Sequence, residues 1–251
     1  MLPAFGLAFC VALAVSSCRT GSEVVYAGGG RVAMDSLWDV APDADAAALL
    51  AAYKVKKDSV MGAVVGKSAR AMESGRPESL LSNLIADVLR ESAAQVLGHP
   101  ADVSVMNMGG IRSSLAQGDI TVEDVFEILP FENALCVLTV KGDVLMQLFA
   151  DMARRGGEGL GGARLEISAD GKLLGATVDG KPVESGRTYT VATIDYLAEG
   201  NDGMTAMKLA EEKTFPAGMV LRDVFMRYVK EQAAAGRALT SRLEGRITVK
   251  N

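Results

Sequence analysis

Leu80, Leu81, Leu84, Ile85, Val88 and Leu89 recur at intervals of three and four, which confines this stretch to a helix with one apolar face that must be buried against another element. Pro77 fits an early helical position, and Gly98-His99-Pro100 stops the helix after about Leu97. Immediately beyond, Asp102-Val103-Ser104-Val105-Met106 alternates as a strand. The same interleaving runs through the chain. Helices are expected over about Ala44 to Lys56, Val122 to Ile128, Asp143 to Arg154 and Ala217 to Ala235. Strands are expected over Val60 to Ser68, Leu135 to Val140, Ala163 to Ser168, Leu173 to Asp179, Thr188 to Ile194 and Arg246 to Val249. Gly118-Asp119 reads as a turn, and the five glycines between Gly156 and Gly162 read as a loop. The expected fold is one mixed α/β (α+β) domain over residues 44–251, a mixed sheet flanked by helices.

Charge and cysteine usage narrow the function classes. The 26 basic and 31 acidic side chains leave a net charge of −5, which argues against nucleic acid as a partner. A single histidine, His99 at a helix end, excludes a His-rich metal site in this chain. Met1 to Cys18 carries no charged side chain, and its apolar run is too short to span a bilayer. It resembles a secretory signal, and Val15-Ser16-Ser17-Cys18 looks like the bacterial lipobox. The expectation is a lipoprotein signal peptide over residues 1–17, a lipid-modified Cys18, and a Gly-rich tether over 18–43. That arrangement implies a cell-envelope protein, lipid-anchored on a periplasmic or outer-membrane face. With Cys10 removed and Cys18 lipidated, Cys136 has no disulfide partner, and its apolar surroundings read as a buried strand.

Two stretches carry chemistry. In Asn107-Met108-Gly109-Gly110-Ile111-Arg112 the glycines let backbone approach a ligand closely, and Arg112 offers a planar donor fork for an anion. In the loop from Asp195 to Gly203, Tyr196 offers an aromatic face and Asp202 a carboxylate.

These two stretches, with Leu129-Pro130-Phe131-Glu132-Asn133 between them and the Pro77 to Asp87 helix ahead, resemble the C-terminal domain of the 5'-nucleotidase family from about Leu49 to Asn251. The resemblance implies a specificity domain that holds the nucleoside part of a nucleotide. Phe131 and Tyr196 match the aromatics that sandwich the base, with tyrosine where phenylalanine is more usual. Asp202 matches the carboxylate that takes the ribose hydroxyls, Asn107 and Asn133 match amides near the base, and Arg112 matches a cation near ribose and phosphate. Gly109 and Gly110 belong to the same turn. Arg76, offset by a residue, or Arg70 stands for a further arginine, and Gly161 or Gly162 for the pocket wall.

Family enzymes cut phosphate with a two-metal centre of Asp, Asn and His residues in a separate N-terminal domain. Between Cys18 and Pro77 there is neither His nor Asn, so this chain is expected to bind no metal cofactor and to hold no catalytic residue. Two functions follow from the resemblance. One is the nucleoside clamp of a split 5'-nucleotidase that hydrolyses phosphomonoesters only with a separate metallophosphatase partner carrying the divalent metals. The other is a free-standing nucleoside-binding envelope lipoprotein without catalysis.

Overall fold

A computed structural model describes residues 26, 28–33, 35–41 and 43–250. The signal peptide expected over 1–17, Cys10 and Cys18 lie outside the described residues. The chain divides into two compact units, Met1–Leu50 and Ala51–Asn251. Described residues of the first include a short 3-10 turn, Ser36–Val40, capped by the Asp35 side chain, which accepts from the Leu37 amide at 3.0 Å.

Helix α1 runs Ala44–Met61, beginning where Asp43 Oδ1 accepts from the amides of Asp45 and Ala46 at 3.0 and 2.9 Å. It continues past the expected end at Lys56, so Val60 is helical rather than the first residue of a strand. It ends at Met61, with the Gly62 amide donating to the Asp58 carbonyl at 3.0 Å, and Lys57 is held by Glu123 at 2.6 Å.

The second unit is built on a five-stranded sheet. Its strands are β2 (Val103–Met106), β4 (Leu135–Lys141), β5 (Gly159–Gly161), β9 (Thr188–Ile194) and β10 (Glu212–Thr214), in the spatial order β10-β4-β9-β2-β5. Strands β2 and β9 run parallel, and every other pair in the sheet is antiparallel. A four-stranded sheet comprises β6 (Ala163–Ser168), β7 (Leu173–Val178), β8 (Lys181–Pro182) and β11 (Ile247–Lys250), in the order β11-β6-β7-β8. A third pairing joins β1 (Val64–Ser68) to β3 (Gly118–Thr121).

Helix α2, Leu80–Ser92, buries Leu81, Leu84, Ile85, Val88 and Leu89 and packs on β2, β5 and β9. Each such side chain contributes about 1.5–3 kcal/mol of burial. Pro77 is not inside this helix. Ser79 is the N-cap, in a capping box with Ser82. The expected single helix to Leu97 is broken at Ala93, beyond which α3, Ala94–Leu97, is a separate turn ended by Gly98 in the left-handed region. Just before the break, the Ser92 hydroxyl donates to the Val88 carbonyl at 2.7 Å.

Three further helices frame the sheets: α4 (Val122–Ile128), α5 (Gly142–Arg154) and α7 (Leu221–Ala234), with a single turn, α6, at Asp195–Ala198. Helix α5 packs on β4 and β9 and also on β6 and β7, so it belongs to both sheets. Cys136 on β4 is buried, and burial pushes its thiol up to about 12, consistent with a small core hydrophobe.

Two expected connections are strands. Gly118–Thr121 pairs with β1 rather than turning, an exchange with a segment far away in sequence. Gly159–Gly161 forms the edge strand β5 instead of a loop, because its glycines permit an approach that no side chain could share. A Cβ on Gly159 would stand 3.0 Å from the Met106 carbonyl, and one on Gly161 would stand 2.4 Å from the Ser104 hydroxyl. Gly162, at φ +75°, would place a Cβ 2.0 Å from the Asp102 carbonyl. We expect Gly162→Ala to lose at least about 2 kcal/mol of stability in urea denaturation, through backbone strain and overpacking together.

Candidate functional site

The sheet topology gathers four distant stretches at one edge. Parallel neighbours β2 and β9 both end there, so the turn from Asn107 and the loop from Asp195 leave from adjacent carboxyl ends. Strand β4 starts at the same edge, since Leu135 pairs with Ile194, and brings Phe131 and Asn133 just ahead of it. Strand β5 also starts there, with Gly159 opposite Met106, and brings Glu158.

Asn107, Gly109, Gly110 and Arg112 from the first stretch, Phe131 and Asn133 from the second, and Tyr196 and Asp202 from the third line one cleft of about 400 Å³. Phe131 and Tyr196 remain 48% and 42% exposed. For aromatic rings on a well-packed scaffold, that exposure marks surfaces free to meet a planar partner.

Asp202 is the centre of the polar contacts. It sits at φ 52° in the left-handed region, between Gly200 and Gly203, both also at positive φ. A non-glycine residue there costs of order 1 kcal/mol and is retained where its surroundings hold it. Those surroundings are specific. Asn107 Nδ2 donates to Asp202 Oδ2 at 2.6 Å, and the Tyr196 hydroxyl donates to Oδ1 at 3.2 Å. Asn201 Nδ2 donates to the Tyr196 carbonyl at 2.8 Å, fixing the loop internally. The bond to Asp202, together with the carboxylate's charge, pushes the Tyr196 phenol above its ordinary value.

Asn107 thus commits one of its two amide N–H groups to Asp202. Its Oδ1 is buried without a hydrogen-bond partner among the described residues. That oxygen lies 2.8 Å from where a Cβ on Gly110 would stand, so the second glycine of the turn is needed for Asn107 to lie as it does. Arg112 is exposed, with Nη1 3.3 Å from the Gly109 carbonyl, leaving most of its fork open to solvent.

Four of the expected candidates fall elsewhere. Gly161 is in β5, covered by Ser104, and does not line the cleft; Gly162 lies against Asp102 and Arg90. Arg76 also lies outside the lining. Its Nη2 is 2.5 Å from Oε1 of Glu158, whose side chain has no exposed surface. Arg70 is exposed, and its carbonyl accepts from the Ser68 hydroxyl.

Sequence reasoning missed Glu158 and Arg155. Glu158 accepts from Arg76, from Arg155 Nε at 2.7 Å and from the Met108 amide at 2.5 Å. Arg155 Nη2 in turn lies 4.0 Å from Asp202 Oδ2. The available signal was a lone carboxylate among five glycines directly after two arginines. Asp151 on α5 was missed as well. It is buried and accepts from the Ala206 amide at 2.9 Å, anchoring the 3-10 turn that follows the Asp202 loop.

Replacing Asp202 with Asn keeps the left-handed residue tolerable and removes the charge beneath the phenol. We expect the Tyr196 titration, followed by carbon NMR of the ring, to fall in Asp202→Asn towards the ordinary phenol value of about 10.

Comparison with known proteins gives a consistent picture. Residues 60–209 match the family described as "5'-nucleotidase, C-terminal domain". Protein UshA of Yersinia enterocolitica is 31% identical over 188 residues, covering 72% of this chain and 32% of that protein. Endonuclease YhcR of Bacillus subtilis is 30% identical over 189 residues, 72% of this chain and 14% of YhcR. The chain thus spans a third or less of these curated relatives. Among solved structures, the 5'-nucleotidase precursor from Thermus thermophilus has a TM-score of 0.71 at 28% identity, over 85% of this chain and 45% of that one. The NAD nucleotidase of Haemophilus influenzae has a TM-score of 0.62 at 21% identity, over 83% and 42%, and shares the fold.

Proposed function

Because the chain belongs to the family of 5'-nucleotidase C-terminal domains, we propose that its cleft is a nucleoside clamp serving nucleotide hydrolysis by a metallophosphatase unit not contained in residues 51–251. The observation that carries this reading is the convergence of two half-exposed aromatic rings and one hydrogen-bonded carboxylate on a single cleft.

The chemistry of each group fits the task. Phe131 and Tyr196 offer faces to a base, a contact worth about 1–3 kcal/mol per base. Asp202 keeps acceptor capacity beyond its bonds to Asn107 and Tyr196, which suits the paired hydroxyls of a ribose. Arg112 stands exposed at the cleft with a fork that matches a phosphate. Asn133 lines the same cleft and supplies an amide for a base edge.

The residues present do not fit a two-metal centre. His99 is the single histidine, with Nδ1 2.8 Å from the Pro100 carbonyl, and among the described residues no group of three His, Cys, Asp or Glu side chains is placed to hold a metal ion. No hydrolytic step is therefore assigned to this chain. Metals and attacking water belong, in this proposal, to the separate unit. We further propose that Cys18 carries lipid and holds the clamp at the cell envelope. Among the described residues no helix is long and apolar enough to cross a membrane.

Calorimetric titration of the full chain with adenosine and AMP tests the clamp. Phe131→Ala is expected to weaken binding by about 1–3 kcal/mol, and Asp202→Ala by a similar amount. Binding should persist in EDTA, while phosphate release from AMP should require an added metallophosphatase. Absence of heat for both ligands at millimolar concentration would sink the clamp. Binding with no acquired hydrolysis would leave ligand capture as the function.

A further inference from the structure

Behind the cleft, Glu158 and Arg155 close a ring of polar contacts that neither lines the aromatic faces nor belongs to the core. Glu158 Oε2 accepts from the Met108 amide at 2.5 Å, and Met108 directly follows Asn107. Asn107 Nδ2 donates to Asp202 Oδ2 at 2.6 Å. Arg155 Nη2 lies 4.0 Å from that same oxygen, and Arg155 Nε returns to Glu158 Oε1 at 2.7 Å. We infer that Glu158, acting through Arg155 and the Met108 amide, is the positioning residue that aims the Asp202 carboxylate at the sugar of a bound nucleoside. This rests on the clamp reading above.

Charge and strain both support it. Asp202 occupies the left-handed backbone region at a modest cost, which its side-chain partners help to offset. Asn107 and Arg155 both meet Oδ2, one by a hydrogen bond and one by charge, so rotation that carries Oδ2 away loses both. A buried carboxylate alone beside Arg155 would cancel that cation. Arg76 removes the problem by sharing Glu158, so the trio carries one net positive charge, and the side of it nearest Asp202 is Arg155. Arg76 thus acts on the site from behind rather than in it. The Met108 contact gives the same carboxylate a second hold, on the turn that delivers Asn107. One buried group therefore bears on Arg155 and on the turn that carries Asn107, two of the three side chains that meet Asp202.

Positioning predicts loss of the sugar-dependent part of binding and retention of the rest. The full chain is titrated with adenosine and with 2',3'-dideoxyadenosine, which lacks both hydroxyls. In Arg155→Met the ratio of the two affinities should fall about tenfold, the size of a lost bond to a charged acceptor, while dideoxyadenosine affinity holds. Arg155→Lys should recover part of the ratio. Glu158→Gln should repeat the loss if it folds, but breaking a buried pair is costly, so Arg155→Met, at a partly exposed side chain, carries the decision.

A ligand-free readout accompanies it. Tyr196 faces Asp202, which raises its phenol, and Arg155, which lowers it. Removing the Arg155 charge alone would push the phenol higher still. If Asp202 swings away, the phenol falls, and that is the expected result. An unchanged affinity ratio in Arg155→Met, or a phenol that stays or rises, overturns the inference. Should the wild-type chain bind neither nucleoside, the clamp reading fails, and the direction of the phenol shift alone decides the positioning role.

Discussion

A carboxylate with no exposed surface must be answered by donors on every side, and at Glu158 separate stretches of chain supply them. Arg76 comes from ahead of α2, Arg155 from the end of α5 and the Met108 amide from the turn after β2. Removing either arginine leaves the other to balance the buried carboxylate with fewer donors, and removing the carboxylate leaves two arginines side by side without it. The geometry of the turn, the helix end and the Asp202 loop is consequently one coupled arrangement rather than three local ones. That arrangement supports Asp202 in the left-handed region within a segment as short as Asn201–Gly203.

The sheet does the gathering that makes this possible. A parallel pair places two carboxyl ends side by side, and antiparallel neighbours on either flank begin where those two end. Four stretches separated by tens of residues then meet without a long loop. The arrangement also divides labour. Apolar residues of β2, β4 and β9 pack beneath α2 and α5, while the side chains that meet solvent sit beyond the strand ends.

Helices were legible in the sequence because their signal is local. The three-and-four spacing from Leu80 to Leu89 needs no knowledge of what covers it, and only its ends moved, to the cap at Ser79 and the break at Ala93. Short strands were less legible. Gly118–Thr121 and Gly159–Gly161 offer one buried apolar side chain each, Ile120 and Leu160, and are strands because of partners remote in sequence. The cleft residues could be named from the order of their motifs, which the sheet brings together. Glu158 was harder to find, since the local hint of a carboxylate among glycines after two arginines says nothing of its other partners, Arg76 and Met108, 82 and 50 residues away. Arg76 was placed in the cleft for the same reason, its true partner being invisible locally.

Phe131 and Asn133 lie between the end of α4 and the start of β4, and Phe131 is half-exposed, outside the buried core. Substitutions there change what the cleft meets while leaving the folded core nearly untouched. In evolutionary terms such positions drift cheaply, and a lineage can sample new ligands through them without passing through unstable intermediates. Glu158 has the opposite character. Because folding and recognition draw on the same buried charge, exchange at that position also disturbs Arg76, Arg155 and the Met108 amide, so variation there costs far more than at Phe131.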